Sequence, residues 1–377
     1  MLSSDQIMIR DMVREFSRNH LTPNSAKWDK ERTFPAEALK AMAQLGLFGM
    51  MIPQKWGGAG TDTVSFVLAI EEIAAGDGAC STILSVNNSV VCAPIHQYGS
   101  DYLKHTYLKP LAAGDMLGCF CLTEPQAGSD ASQINTQARK TSDGYVLNGT
   151  KQFITSGKNA QVAIVFAVTS PDKGKRGISA FVVPTDSEGY EIASVENKMG
   201  QHASDTAQIV FNNCVIPENH LLGERGQGYK IALSNLESGR IGIAAQSVGM
   251  ATAAYQIALE YAKQRQSFGK PIIQHQAVGF RLADMATAIE AAHLMTLQAA
   301  RLKDAQEPCL KQASMAKLLA SEMAEKVCSD AIQVLGGYGY ISDFPLERIY
   351  RDVRISQIYE GTSDIQRMVI ARSLENE

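Results

Sequence analysis

Tyr145-Val146-Leu147-Asn148-Gly149-Thr150-Lys151-Gln152-Phe153-Ile154-Thr155 decides how the rest of the chain is read. Its aromatic and β-branched residues favour extended backbone. Asn148-Gly149 at its centre accepts positive φ, so the pattern predicts a hairpin. Short runs of the same character at 161–168, 178–183 and 208–211 mark a β-rich piece between about residues 118 and 215. On its N-terminal side the texture is helical. Ser3 and Gln6 stand at capping-box spacing ahead of a periodic segment through Val13 and Phe16. Pro35 precedes a run at 36–45 that Gly46 ends, and helical runs follow at 64–75 and 81–98, beyond the loop Trp56-Gly57-Gly58-Ala59-Gly60. On the C-terminal side one long run extends from about Gly228 to Gln264. Leu282, Met285, Ile289 and Ala292 show helical spacing in a second, 310–335 forms a third, and a last begins near Thr362. The expected architecture is α+β and multidomain. It comprises a helical N-terminal domain (1–116), a middle β-barrel or sandwich (117–226) and a C-terminal four-helix bundle (227–377).

Composition narrows the function. The 377 residues are 45% hydrophobic and 20% charged, as in a globular protein. Thirty-five basic against 39 acidic residues leave a charge of −4, which argues against a nucleic-acid binder. Seven unevenly spaced cysteines read as reduced intracellular thiols. No apolar run is expected to approach the roughly 18 residues of a membrane span. The longest candidate, 241–254, is broken by Gln246, Ser247 and Gly249. Asp5, Asp11 and Glu15 near the N-terminus fit neither a secretory signal nor a transit peptide. The expected location is therefore the cytosol, or an organelle for a chain already trimmed.

Several chemistries lack their motifs. No GxGxxG follows a strand, and Gly223, Gly226 and Gly228 have the wrong spacing for a dinucleotide fingerprint. There is no P-loop and no GxSxG. Ser170 and Lys173 match SxxK, but in a Pro/Gly/Lys-rich loop without companion motifs. Cys119 and Cys121 form a lone CxC, and no histidines stand at metal spacing, so no metal is expected.

Four segments carry chemistry. Leu122-Thr123-Glu124-Pro125-Gln126-Ala127-Gly128-Ser129-Asp130 offers hydroxyls and a turn whose N–H groups suit a cofactor or its phosphates. In Lys151-Gln152-Phe153-Ile154-Thr155-Ser156-Gly157, alternation puts Phe153 and Thr155 on one face, an aromatic beside a hydroxyl. That face suits a planar heterocycle or ordinary core packing. Arg265-Gln266-Ser267-Phe268-Gly269-Lys270, with His275-Gln276 beyond, places a cation and an aromatic at a helix end, for a phosphate or a neighbouring subunit. Ile358-Tyr359-Glu360-Gly361-Thr362-Ser363-Asp364-Ile365-Gln366 sets a carboxylate in an apolar stretch just before a helix. Apolar surroundings raise a carboxylate pKa toward that of a useful base.

In this order on an α-β-α chain, the four segments resemble the acyl-CoA dehydrogenase family over essentially the whole length. The resemblance implies FAD, a homotetramer built as a dimer of dimers, and α,β-dehydrogenation of an acyl-CoA to the trans-2-enoyl-CoA. Electrons would pass to an electron-transfer flavoprotein, in fatty-acid β-oxidation or branched-chain amino-acid catabolism. By position, Leu122, Thr123 and Ser129 would contact flavin or thioester, and Phe153 and Thr155 the flavin ring. Phe153 stands where many members carry tryptophan. Arg265 and Phe268, with Gln276, resemble residues that reach the FAD of a partner subunit. Gln333, Gly336, Gly337, Thr362 and Asp364 match further FAD contacts, Asp364 replacing a longer polar residue. Arg240 matches an arginine near the CoA, and Ser129, Glu237, Tyr359 and Gly361 complete the substrate side.

The resemblance also assigns the catalytic base, to Glu360. The family supplies it either there or from the helix of Arg240, where the matching position is Gly239. Glu237, three residues before Arg240, is read as an ion-pair partner on that helix. Glu360 N–H and a flavin ribityl hydroxyl would steady the enolate. The segments 84–89 and 239–244 resemble short-chain and short-branched-chain members. An uncharged acyl group of about four to six carbons is expected, because a distal carboxylate would be buried unpaired and 81–93 holds no cation. The rivals are an acyl-CoA oxidase, usually longer at its C-terminus, and a non-catalytic flavoprotein, which would show a basic face or lack the base.

Overall fold

The computed structural model describes residues 1–375, so the last two residues of the expected third domain lie outside the described residues. Helix α1 (Ser4–Phe16) starts on the expected capping box. The Ser3 hydroxyl accepts from the Gln6 N–H at 3.2 Å, and the Gln6 side chain accepts from the Ser3 N–H at 3.0 Å. Helix α2 (Thr63–Gly76) begins at Asp62, whose carboxylate accepts from the Ser65 N–H at 2.7 Å. Helix α3 (Gly78–Tyr98) carries a π-helical turn at Asn87–Cys92.

Helix α3 corrects one expectation: by length and composition it is apolar enough to cross a membrane. It is instead a core helix, with 94% of its apolar window buried inside the protein. Its polar side chains find partners on neighbouring backbone. Asn88 Nδ2 donates to Leu47 O at 2.9 Å and its Oδ1 accepts from Met50 N–H at 2.9 Å. Asn87 Nδ2 donates to Phe48 O at 3.0 Å while its Oδ1 accepts from Gly118 N–H at 3.1 Å. These buried amides tie α3 to two loops and the first strand.

The middle piece is one eight-stranded sheet, made of β1 (Gly118–Cys121), β2 (Gln137–Lys140), β3 (Gly144–Thr155), β4 (Val162–Val168), β5 (Ile178–Pro184), β6 (Tyr190–Val195), β7 (Thr206–Pro217) and β8 (Leu221–Leu222). The order is β6-β7-β3-β2-β4-β5-β8, with β1 parallel to β4. Tyr145 and Leu147 of β3, Ala163 and Val165 of β4, and Ile209 and Phe211 of β7 share one apolar core, so the sheet folds over on itself. The outer faces of β4 and β5 pack Ile164, Phe166 and Val182 against Val90 and Ile95 of α3. Burial on both faces explains why these strands read as continuous apolar runs.

The expected hairpin at Asn148-Gly149 is absent: β3 runs straight through it. The pairing with β7 steps from Leu147↔Cys214 to Gly149↔Phe211, which makes a bulge rather than a turn. Asn213, at φ 51°, donates its N–H to Asn148 Oδ1 at 2.9 Å. Gly149 (φ 151°) is needed because a Cβ there would stand 2.6 Å from Thr136 Cα.

The longer C-terminal helices are α4 (Gly228–Gln264), α5 (Gln276–Asp304), α6 (Leu310–Leu335) and α7 (Ser363–Leu374). Small residues on α4, from Gly242 and Ala244 to Ala251 and Ala254, let α2 and α6 approach. Phe66 and Ile70 of α2, Ile241 and Val248 of α4, and Ala320 and Val327 of α6 belong to one continuous core. Two helical regions far apart in sequence are thus one packing unit, with the folded sheet against it.

Candidate active site

A cleft of about 210 Å³ opens where the sheet, α3, α4 and the turn before α7 meet. Leu122, Thr123, Phe153 and Thr155 line its sheet side, and Ser129 lies in the loop after β1. Thr82, Val86 and Val90 come from α3, and Arg240 and Ile243 from α4. Tyr359, Glu360 and Gly361 supply the opposite wall. Phe153 sits at a break in the β3–β7 register between Lys151 and Ile154, at φ 59°. Its ring is 63% exposed, an uncovered aromatic beside the Thr155 hydroxyl.

The loop that carries Leu122, Thr123 and Ser129 is clamped from beneath. Lys151 Nζ, fully buried, pairs with Glu124 Oε1 at 2.7 Å and donates to Leu122 O at 3.1 Å. Glu124 also accepts from the N–H groups of Asn135 at 2.6 Å and Thr136 at 3.0 Å. Burial lowers the Lys151 pKa, against the attraction of Glu124, while Lys151 and the hydrogen bonds hold Glu124 below its usual value despite burial. The two groups stay an ion pair, and the loop is held at both ends.

Glu360 is held in a left-handed turn, at φ 54°, followed by Gly361 at φ 93°. Its Oε2 is enclosed with no hydrogen-bond partner. The room comes from Gly239 on α4, where a Cβ would lie 1.7 Å from Oε2. Burial pushes the Glu360 pKa up from 4.5 to about 7, and the nearby Lys317 and Arg240 cations pull against it. Among the described residues the Glu360 N–H makes no backbone hydrogen bond. Next to it, the Tyr359 hydroxyl donates to Gln246 Oε1, and Gln246 Nε2 donates to Ser81 Oγ at 2.8 Å. Arg240 is buried, reaches Ser314 Oγ at 3.4 Å and leaves its Nε without a partner.

The remaining expected residues lie outside the cleft of a single chain. Arg265 caps the end of α4, Phe268 is 93% exposed on the following hairpin, and Gln276 opens α5. Gln333, Gly336 and Gly337 are exposed around the end of α6. Thr362 caps α7, its hydroxyl accepting from the Ile365 N–H at 3.3 Å, while Asp364 is exposed and pairs with Arg367 at 3.6 Å. Glu237 does not line the cleft, and its ion pair is not within α4. It pairs with Lys303 of α5 at 2.8 Å, because its side chain points across the bundle. Asn87 also turns away from the cleft, to Phe48 O and Gly118 N–H. The sequence reading missed Val86, Val90 and Ile243 as lining residues, and it missed Lys317. The signal for Lys317 is its place in register with buried Ala313, Ala316, Ala320 and Ala324.

With this geometry in hand, the comparisons with known proteins agree along the whole chain. Models of the acyl-CoA dehydrogenase N-terminal, middle and C-terminal domains match residues 3–115, 119–214 and 226–375. The chain belongs to the acyl-CoA dehydrogenase family. It is 47% identical to an acyl-CoA dehydrogenase of Bacillus subtilis, over 99% of this chain and 98% of that one. It is also 47% identical to the mitochondrial short-chain specific acyl-CoA dehydrogenase of Rattus norvegicus, over 97% of this chain and 89% of the relative. Butyryl-CoA dehydrogenase from Megasphaera elsdenii superposes with a TM-score of 0.98 at 41% identity, covering 100% and 99% of the two chains. A chain in a structure concerning the electron transferring flavoprotein of Acidaminococcus fermentans gives 0.99 at 43% identity, with the same coverage.

The protein is an oxidoreductase and its cofactor is FAD. The cleft fits that cofactor on its own terms. Phe153 offers an uncovered aromatic ring, Thr123 and Thr155 add hydroxyls, and Ser156 Oγ nearby is buried without a partner.

Proposed function

We propose that the protein dehydrogenates a short, uncharged acyl-CoA to the trans-2-enoyl-CoA, with Glu360 taking the α-proton. The observation that carries this reading is the Glu360 carboxylate, enclosed at the cleft with a free Oε2 in the space left by Gly239. A pKa near 7 suits a general base at neutral pH. Bound FAD supplies the hydride acceptor for the β-carbon. Thr123, Phe153 and Thr155 would hold the flavin ring, with Leu122 and Ser129 beside the thioester. The Glu360 N–H, left without a backbone partner, would steady negative charge developing on the thioester oxygen. Arg240 and Lys317 keep positive charge beside the base before it accepts the proton.

A short acyl group is supported by Val86, Val90 and Ile243 on the cleft wall and by the short-chain relative. Arg240 is the one cation lining the cleft among the described residues, and it stands beside Glu360 rather than at a distal site. Completion of the FAD site by Arg265, Phe268, Gln276, Gln333, Gly336 and Gly337 of a partner subunit, in a homotetramer, accounts for their exposure in one chain. Thr362 and Asp364, which follow Gly361 of the cleft wall, would add further FAD contacts, and the domain limits 1–116, 117–226 and 227–377 complete the reading. Transfer of electrons to an electron-transfer flavoprotein is supported by the likeness to the Acidaminococcus fermentans structure. Bacterial and mitochondrial relatives support a bacterial cytoplasm or a mitochondrial matrix.

The deciding experiment is anaerobic flavin reduction in Glu360→Gln. The variant is expected to keep its yellow FAD and bind acyl-CoA, but to lose at least ~100-fold in rate, the low end for general-base catalysis. Reduction at wild-type speed in that variant, with loss in Glu237→Gln, would move the base to α4. A panel of butyryl-, isobutyryl-, hexanoyl-, octanoyl- and glutaryl-CoA fixes the acyl class. Turnover of glutaryl-CoA rivalling butyryl-CoA rejects the uncharged reading.

A further inference from the structure

Lys317 lies on the alanine face of α6, flanked by Ala313, Ala316, Ala320 and Ala324, and its side chain is wholly buried. An ammonium in such a place needs a partner. Its Nζ donates to the Gly361 carbonyl at 2.7 Å. That carbonyl also accepts from Gln366 Nε2 at 2.9 Å, and the same amide reaches Glu360 O at 3.2 Å. The two successive carbonyls that follow the Glu360 side chain, those of Glu360 and Gly361, are therefore gripped from α6 and α7. The grip is needed because Glu360 occupies a left-handed conformation that a residue with a Cβ does not favour by itself.

We propose that Lys317 is a positioning residue of the reaction: by clamping the Gly361 carbonyl it holds the Glu360–Gly361 turn and keeps the carboxylate aimed into the space at Gly239. The inference rests on Glu360 being the base. Its charge acts too. The groups facing Glu360 are Lys317 from α6 and Arg240 from α4, with Tyr359 on its own turn. Glu237 faces Arg240, Glu322 faces Lys317, and Asp364 and Arg367 of α7 are exposed and paired with each other. Lys317 is the cation that both touches the turn and opposes protonation of the base.

The test compares FAD-loaded wild type, Lys317→Met and Lys317→Gln by anaerobic reduction with butyryl-CoA across pH, alongside Glu360→Gln. Lys317→Met is expected to keep FAD and a KM within about threefold. Its flavin-reduction rate should fall at least ~10-fold, and the acid limb of the rate–pH profile should move upward by about one pH unit as the base loses a neighbouring cation. Lys317→Gln should show the same upward limb, since it removes the charge while keeping a donor. A purely structural lysine would lower stability or flavin content without moving that limb. Wild-type rate and limb in either folded variant overturn the proposal. If both variants fail to fold, Gln366→Leu decides, because loosening the same carbonyl must slow reduction severalfold; an unchanged rate overturns the clamp. Failure of the base assignment shows separately, as wild-type reduction in Glu360→Gln.

Discussion

Replacing Gly239 by alanine adds one methyl group to α4 and separates fold from function. The new Cβ would stand 1.7 Å from Glu360 Oε2, 2.6 Å from Cδ and 2.9 Å from Oε1, where ordinary contact begins near 3.4 Å. The atoms in the way are the far end of a flexible side chain, so the carboxylate swings aside and the helix stays. Alanine for glycine inside a helix favours folding by up to about 1 kcal/mol, which offsets the cost of moving Glu360. The carboxylate must retreat by about 1.7 Å, and a misplacement near 1 Å costs on the order of 100-fold in rate. Gly239→Ala is therefore expected to retain FAD, melt within about 2 °C of wild type, and reduce its flavin at least ~100-fold more slowly. Stopped-flow absorbance of the oxidised flavin under anaerobic mixing with butyryl-CoA reads the rate, and differential scanning calorimetry reads the fold. Near wild-type reduction with intact FAD would refute the steric argument, because it would place the working carboxylate elsewhere.

Three further expectations follow from buried groups and exposed motifs. Glu360 is raised from 4.5 to about 7, so folding favours its protonated form; that stability is complete below pH 4.5 and is lost as pH rises through about 7. Glu360→Gln should thus melt higher than wild type at pH 8, with the gap closing toward pH 5, and a lower melting point at pH 8 contradicts this. Lys151→Met leaves Glu124 buried without its cation and is expected to cost about 3–5 kcal/mol in urea unfolding, together with weaker FAD retention; a loss under about 1 kcal/mol would show that the clamp does not matter. Arg265→Ala should lower FAD occupancy after gel filtration without shifting apoprotein unfolding, and full occupancy in a monomeric variant would end the inter-subunit reading.

The features legible in the chain alone are local. The Ser3 cap, the ends of α4 and α6 and the Thr362 cap depend on residues three or four positions apart, and the structure places them where the pattern does. The motif around Glu360 was legible as an apolar stretch with one carboxylate ahead of a helix cap. Tertiary structure decided whatever depends on partners far along the chain. Asn148-Gly149 makes a bulge instead of a turn because β7 supplies Asn213 and Thr136 crowds Gly149. Asn87 and Asn88 hold loops because the carbonyls of Leu47 and Phe48 come within reach. Gly239 and Glu360 stand far apart in sequence, yet the missing methyl of one is the space occupied by the carboxylate of the other. No local pattern encodes that complementarity. It arises when α4, α6 and the turn before α7 are packed together, and the same packing turns Lys317 from a surface residue type into a buried donor to the Gly361 carbonyl.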